Sequence, residues 1–120
     1  MNKKRTVLLG AMVLIALSSA ALYSNPLRRS DAGVRRWMER KTPMGSSLRN
    51  VEALAFKSGW PVRYHFGRPP IDQAHYGTYL QGNLGRYWSV PFFTYVTVFW
   101  CFDTNNHLTD IQVWKTTDGL

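Results

Sequence analysis

Cys101 and three histidines, His65, His75 and His107, are the side chains in this 120-residue chain best suited to nucleophilic or metal chemistry. A thiol hydrolase needs a thiolate, a base to generate it and a third group to orient that base. The histidines are scattered over strand-like, loop-like and turn-like stretches, and none pairs with another at a zinc-site spacing. Cys101 has no second cysteine to assist it and sits inside the apolar run FFTYVTVFWCF, where a cysteine behaves as a small buried hydrophobe. GxSxG, Walker and dinucleotide fingerprints are missing. Gly82 and Gly85 in QGNLGRY read as turn glycines, with no helix opening after them to hold phosphate. These residues predict a noncatalytic chain with no cofactor and no metal.

The richer pattern lies near the C-terminus. In FFTYVTVFWCF, positions 92 to 102, Val96, Val98, Trp100 and Phe102 alternate with Tyr95, Thr97, Phe99 and Cys101. LTDIQVWK follows across the polar turn DTNNH, so the two runs form an antiparallel hairpin. Ile111 and Val113 join the apolar face. Asp110, Gln112 and Trp114 join the other, where aromatic rings mingle with hydrogen-bonding groups, the composition of a protein-binding patch. The candidate binding residues are Tyr95, Phe99, Asp110, Gln112, Trp114 and Lys115. Lys115 to Asp118 also suit the end of an edge strand, where charge discourages unwanted pairing, or where a partner adds a strand of its own.

Positioning this hairpin requires a scaffold. Ser30 or Asp31 caps a helix through VRRWMERK, with Val34, Trp37 and Met38 on one face. TPMGSS breaks it, Ser46 or Ser47 caps a second helix carrying Leu48, Val51, Leu54 and Ala55, and Gly59 ends that one. The period then alternates: VRYHF is a strand with Val62, Tyr64 and Phe66 together, GRPPIDQAH is a loop, YGTYL is a short strand and QGNLGRYWSVP a connection. The expected fold is α+β, two N-terminal helices on a three- to four-stranded antiparallel sheet, behind an N-terminal signal or membrane-anchor helix.

Charge divides the chain in the same way. The net charge is +8, yet from Gly45 onward six basic residues face five acidic ones. The surplus sits in Lys3, Lys4 and Arg5 and in the stretch Arg28 to Lys41, without a nucleic-acid-binding signature, so no nucleic-acid partner is expected. Residues 1–24 have a basic head, an apolar run and small residues with Ser19 and Ala21 at cleavage spacing, the form of an export signal. Thr6 to Ser24 is also nineteen residues without a charge, enough to cross a bilayer core of about 30 Å as an anchor. Residues 25–29 read as a linker and 30–120 as one domain. Arg35, Arg36, Arg40 and Lys41 on the first helix offer a solvated basic face or a contact with anionic lipid.

The Met44-Gly45-Ser46-Ser47 turn before a helix, Val51 within it, and the terminal hairpin with Phe102-Asp103 and Leu108 resemble the small envelope proteins of the SmpA/OmlA type, and more loosely the two-helix-plus-sheet modules of beta-lactamase-inhibitor proteins. The likeness spans residues 42 to 115. SmpA/OmlA proteins are lipoproteins, whereas the single cysteine here is far from the signal. What the resemblance implies is a noncatalytic module that binds other proteins in the bacterial cell envelope, exported to the periplasm or held in the inner membrane by residues 6–24. Assembly subunit and immunity-type inhibitor are its two forms. A ligand- or lipid-binding protein, or a thiol-dependent enzyme, is the alternative.

Overall fold

The computed structural model describes residues 25–117; the signal or anchor segment expected at 1–24 falls outside them. No helix among the described residues is long and apolar enough to cross a membrane. Two helices and a four-stranded antiparallel sheet give the expected α+β arrangement. Helix α1 (Asp31–Lys41) begins where Ser30 Oγ accepts the Gly33 amide at 3.1 Å, and α2 (Leu48–Ser58) begins where Ser47 Oγ accepts the Asn50 amide at 3.1 Å. Gly59 closes α2 at φ 74°, in the left-handed region that glycine enters without steric cost, and its amide donates back to Ala55 and Phe56.

The strands β1 (Val62–Gly67), β2 (Gly77–Ser89), β3 (Phe92–Phe102) and β4 (Leu108–Thr117) lie side by side in chain order, each antiparallel to the next. The largest departure from expectation is β2. YGTYL is only its first part, and QGNLGRYWS, read from sequence as a connection, continues the same strand along the whole length of β3. Two glycines have the look of turn signals, and each has a structural task in the strand. A methyl group on Gly82 would lie 2.4 Å from Trp100 Cζ3, so the strand is bare where the indole crosses it. Gly85, at φ 118°, follows a bulge between Asn83 and Gly85 that inserts Leu84 as an extra residue. The bulge also reverses the alternation: Leu80, Gly82 and Leu84 serve the helix side, whereas after it Arg86 and Trp88 turn to the opposite face, opposite Tyr95 and Phe93.

Residues 25–29 also differ from the expected linker. Pro26–Arg28 form a 3-10 turn capped by Asn25, whose Oδ1 accepts the Leu27 amide at 3.0 Å. Leu27 packs against the core beside Tyr87, and Arg28 Nη2 donates to the Trp88 carbonyl at 2.7 Å. Residues 25–29 are therefore packed onto the sheet.

One core joins the layers: Val34 and Met38 of α1 and Val51 of α2 meet Leu80, Val96, Val98, Trp100, Phe102, Leu108 and Ile111 of the sheet. Val96, Val98, Trp100, Phe102 and Ile111 are the apolar face expected of the hairpin, Val113 packs partly buried against them, and Leu80 and Leu108 complete the sheet's share of the core. Trp100 is its largest fully buried side chain; its ring stacks on Trp60 with centroids 6.4 Å apart, and Trp60 meets Trp37 edge-on. The indole brings a buried N–H that needs a partner. It donates to Thr42 Oγ1 at 3.2 Å, and the Thr42 hydroxyl donates to the Met38 carbonyl at 2.9 Å. Thr42 thus links the end of α1 to the sheet. Thr42→Val keeps the shape but strands the indole N–H, and is expected to cost about 1–3 kcal/mol. A lower urea midpoint with an unchanged m-value is the readout.

The turn between the helices is fastened to the β3–β4 hairpin by backbone. Gly45 N–H donates to the Leu108 carbonyl, Leu108 N–H to Ser46 and Leu48 N–H to Asn106, at 2.8, 2.8 and 2.9 Å. Within the hairpin turn, Asp103 Oδ1 accepts the Asn105 and His107 amides, both at 2.9 Å. The His107 amide bond foremost, with that from Asn105, holds the Asp103 carboxyl below the usual carboxylate range.

Candidate sheet-face site

The sheet face turned away from the helices carries most of the candidate residues. Register places Phe99 opposite Gln112 on β4 and Gln81 on β2, Cys101 opposite Asp110 and Tyr79, Thr97 opposite Trp114, and Tyr95 opposite Arg86 and Thr116. Five of the six candidates, Tyr95, Phe99, Asp110, Gln112 and Trp114, therefore belong to one surface. Lys115 does not. It pairs with Val96 and so points to the helix side, where its ammonium donates to the Arg29 carbonyl and lies 3.3 Å from the Tyr87 hydroxyl. A single step along a strand changes face, and Lys115 ties the N-terminal turn down.

Aromatic rings cross this face from edge to edge. His65 on β1 stacks on Tyr79 of β2 at 4.9 Å, Tyr79 meets Phe99 of β3 edge-on at 6.0 Å, and Phe99 stacks on Trp114 of β4 at 6.2 Å. His65 Nε2 lies 2.9 Å from Gln81 Oε1 and is absorbed in this packing. Exposure grades sharply along the row: Phe99 is 1% exposed, in a small second core with Tyr79 and Cys101, whereas Trp114 is 43% exposed. Phe99, one of the candidate binding residues, presents no open aromatic surface, because flanking rings on both neighbouring strands enclose it.

The polar candidates are engaged as well. Gln112 is buried and clasped by the β1–β2 loop: its Oε1 accepts the Asp72 amide at 3.1 Å and its Nε2 donates to the Asp72 carbonyl at 3.4 Å. Asp110 Oδ1 accepts from Arg35 Nη2 of α1 at 2.8 Å, and Arg35 also pairs with Glu39. Phe99, Gln112 and Asp110 form the support, and Trp114 and Tyr95 form the presented surface. Beyond them the bulge adds residues that the sequence reading did not include. Arg86 lies over the Phe93 ring at 4.1 Å, and Phe93 meets Trp88 edge-on at 4.9 Å. Their signal was the pair RYW and FF around a two-residue turn, hidden by taking Gly82 and Gly85 as loop markers.

Cys101 is fully buried, and its thiol faces the Gln112 amide nitrogen at 3.8 Å. Burial first, then the charges of Asp110 and Asp72, push its pKa up to about 12. A thiolate is the nucleophile in every cysteine chemistry, and this site opposes its formation. Because the folded value lies above the unfolded one, Cys101 contributes its full stability below about 9 and loses it as pH rises toward about 12. The expected result is no reaction with an aromatic disulfide reagent at pH 8 until denaturant is added, and a falling urea midpoint across that alkaline window.

A cleft of about 600 Å³ opens at one end of the sheet between the β1–β2 loop and the β3–β4 turn, lined by Phe66, His75, Tyr76, Phe102, Asp103 and Thr104 among others. His75 Nε2 lies 3.2 Å from the Thr78 carbonyl, and Asp103 serves the turn amides, so neither is paired with a nucleophile there. Among the described residues, no three His, Cys, Asp or Glu side chains are grouped to hold a metal ion. Comparison with known proteins finds no matching family model, curated protein or solved structure.

Proposed function

We propose that this chain is a noncatalytic protein of the bacterial cell envelope that acts by binding another protein, as an assembly subunit or an immunity-type inhibitor of an envelope effector. Its contact surface is the outer part of the sheet face, with Trp114 as anchor and Tyr95, Thr97 and Arg86 around it. The observation that carries the reading is the Trp114 ring, 43% exposed and stacked on a fully enclosed Phe99. Energetic centres of protein interfaces favour tryptophan, tyrosine and arginine held on rigid supports, because a large ring already fixed in place loses little entropy on docking. Antiparallel sheets often leave one face wet, but here the wet face concentrates rings beside hydrogen-bonding side chains.

The apolar segment 6–24 supports the envelope location, as an export signal or an anchor. The test is affinity capture from native membranes with a C-terminally tagged full chain, read by mass spectrometry together with the intact mass of the bait. A partner retained by the native chain and lost with Trp114→Ala supports the reading. A partner retained equally by both removes Trp114 from the interface, and capture of none moves the function to a small ligand.

A further inference from the structure

The β2–β3 hairpin ends in WSVPFF, positions 88 to 93, a tip without a polar side chain other than Ser89. Val90 is 77% exposed and Trp88 45% exposed, Pro91 is exposed, and Phe92 and Phe93 are half-buried. An apolar hairpin tip facing water is costly unless something covers it. Three observations name the cover.

The first is where the chain enters the fold. Arg28 donates to the Trp88 carbonyl, and Leu27 and Arg28 pack on the Gly85 to Trp88 stretch, Arg28 lying 5.1 Å over the Tyr87 ring. Asn25 is three residues from Arg28, so at full extension its backbone lies within roughly 11 Å of that contact. The nineteen-residue uncharged segment ends at Ser24, immediately before it. Asn25, the first described residue, and the apolar tip therefore lie at the same end of the domain.

The second is charge. Arg28, Arg29, Arg86 and Lys115 lie toward this end, against the single carboxylate of Asp31 at the start of α1, and residues 73–102 contain no Asp or Glu. Asp118, which follows β4, is the one acidic residue near in sequence to the end of that strand. Cations around an apolar tip match the anionic headgroups of a bilayer, where arginine and lysine keep their charge in the polar layer while their stems lie along apolar surface. The third is ring chemistry: tryptophan and tyrosine prefer the membrane–water boundary, and Trp88 and Tyr87 stand on adjacent positions of β2 just behind the tip.

We infer that the WSVPFF hairpin tip dips into the headgroup layer of the anionic membrane that residues 6–24 enter, so that the domain is held at two points and cannot swivel about its N-terminal segment. The proposal rests on reading 6–24 as a membrane segment. With the tip down, the face carrying the exposed Trp114 and the half-buried Tyr95 is held at a fixed angle to the bilayer, and the opposite hairpin turn, Asp103 to His107, points away from it. The two turns are at opposite ends of β3.

The test places one nitroxide on the full chain in a Cys101→Ala background, at Val90→Cys or, as a control, at Asn105→Cys. Each is reconstituted in vesicles of phosphatidylcholine and phosphatidylglycerol, and the collision rates of the label with oxygen and with a water-soluble nickel chelate are compared. Oxygen concentrates in the bilayer and the chelate in water. The expected result is an oxygen-to-nickel ratio several-fold higher at 90 than at 105, falling toward the control value when phosphatidylglycerol is omitted. Equal ratios with a chain that floats with the vesicles overturn the tip contact alone; a chain that does not float overturns the membrane segment and the tip contact together. If Cys101→Ala does not fold, the native-cysteine chain is read by tryptophan quenching with brominated phosphatidylcholine. Trp88→Phe then removes most of the quenching, and unchanged quenching overturns the proposal.

Discussion

Replacing Trp100 with alanine is expected to lower the unfolding free energy by about 3–5 kcal/mol, the cost of emptying a large aromatic site. Small domains are stable by about 5–15 kcal/mol in all, so most of the molecules are at the edge of unfolding in mild denaturant. The reason is the number of roles that meet at this ring. It fills the space over Gly82, stacks on Trp60 and reaches Thr42 with its N–H, so truncation opens a cavity and leaves the Thr42 hydroxyl without its donor. Gly82→Ala attacks the same contact from below. Its methyl group meets the rigid ring at 2.4 Å, and overpacking of that kind costs about 1–3 kcal/mol. The two changes are not independent: in the double variant the new methyl enters space the indole has vacated, so the combined loss is smaller than the sum by about 0.5–3 kcal/mol. Urea unfolding of the four proteins measures it. A double variant that loses the simple sum would show that Gly82 is small for a reason other than Trp100.

That contact also marks the limit of what was readable in the sequence. Both helices, their serine caps and the glycine that ends α2 follow from local chemistry, because a cap and a helical apolar stripe lie within a dozen residues of each other. The β3–β4 hairpin was equally legible, since Val96, Val98, Trp100 and Phe102 alternate along β3, Ile111 and Val113 along β4, and the turn between them is polar; only the shift that brings Leu108 into the core breaks the period. Gly82 is the counterexample. Its cause is a ring eighteen positions away on the next strand, and a reading based on neighbours in sequence can only count it as a turn signal. Once β2 was cut at Gly82, the bulge was invisible and Arg86, Trp88 and Phe93 could not be assigned to a face. The enclosure of Phe99 was hidden for a related reason: alternation gives the face of a residue and not what lies over it. Covering Phe99 takes Tyr79 from β2 and Trp114 from β4, and clasping Gln112 takes a loop forty positions earlier. Lys115 is one step beyond Trp114, and with a period of two that single step puts it on the other face.

The separation of support from surface makes the second large effect a pair of opposite outcomes. Trp114→Ala removes a half-exposed ring from an edge strand, so the fold is expected to lose no more than about 1 kcal/mol, within the range of cross-strand aromatic contacts. Binding to the captured partner is expected to weaken by about 2 kcal/mol or more, roughly thirtyfold in Kd, the loss typical of a tryptophan at the centre of an interface. Phe99→Ala does the reverse. It is expected to cost about 3–4 kcal/mol of stability, because it empties a site 1% exposed beneath both Tyr79 and Trp114. Any binding it loses comes through Trp114, whose ring then has nothing to rest on. Phe99→Leu separates the two effects: it keeps the site filled and an apolar floor under Trp114, so affinity is expected to return most of the way to the native value while stability stays intermediate. Calorimetric titration with the captured partner, beside urea unfolding of each variant, supplies both axes. An affinity that tracks stability across all three variants would mean that Trp114 contributes to folding and the partner docks elsewhere. Loss of binding in Trp114→Ala at near-native stability would place the contact on this ring, and recovery in Phe99→Leu would show that the buried row across the sheet serves to hold it in place.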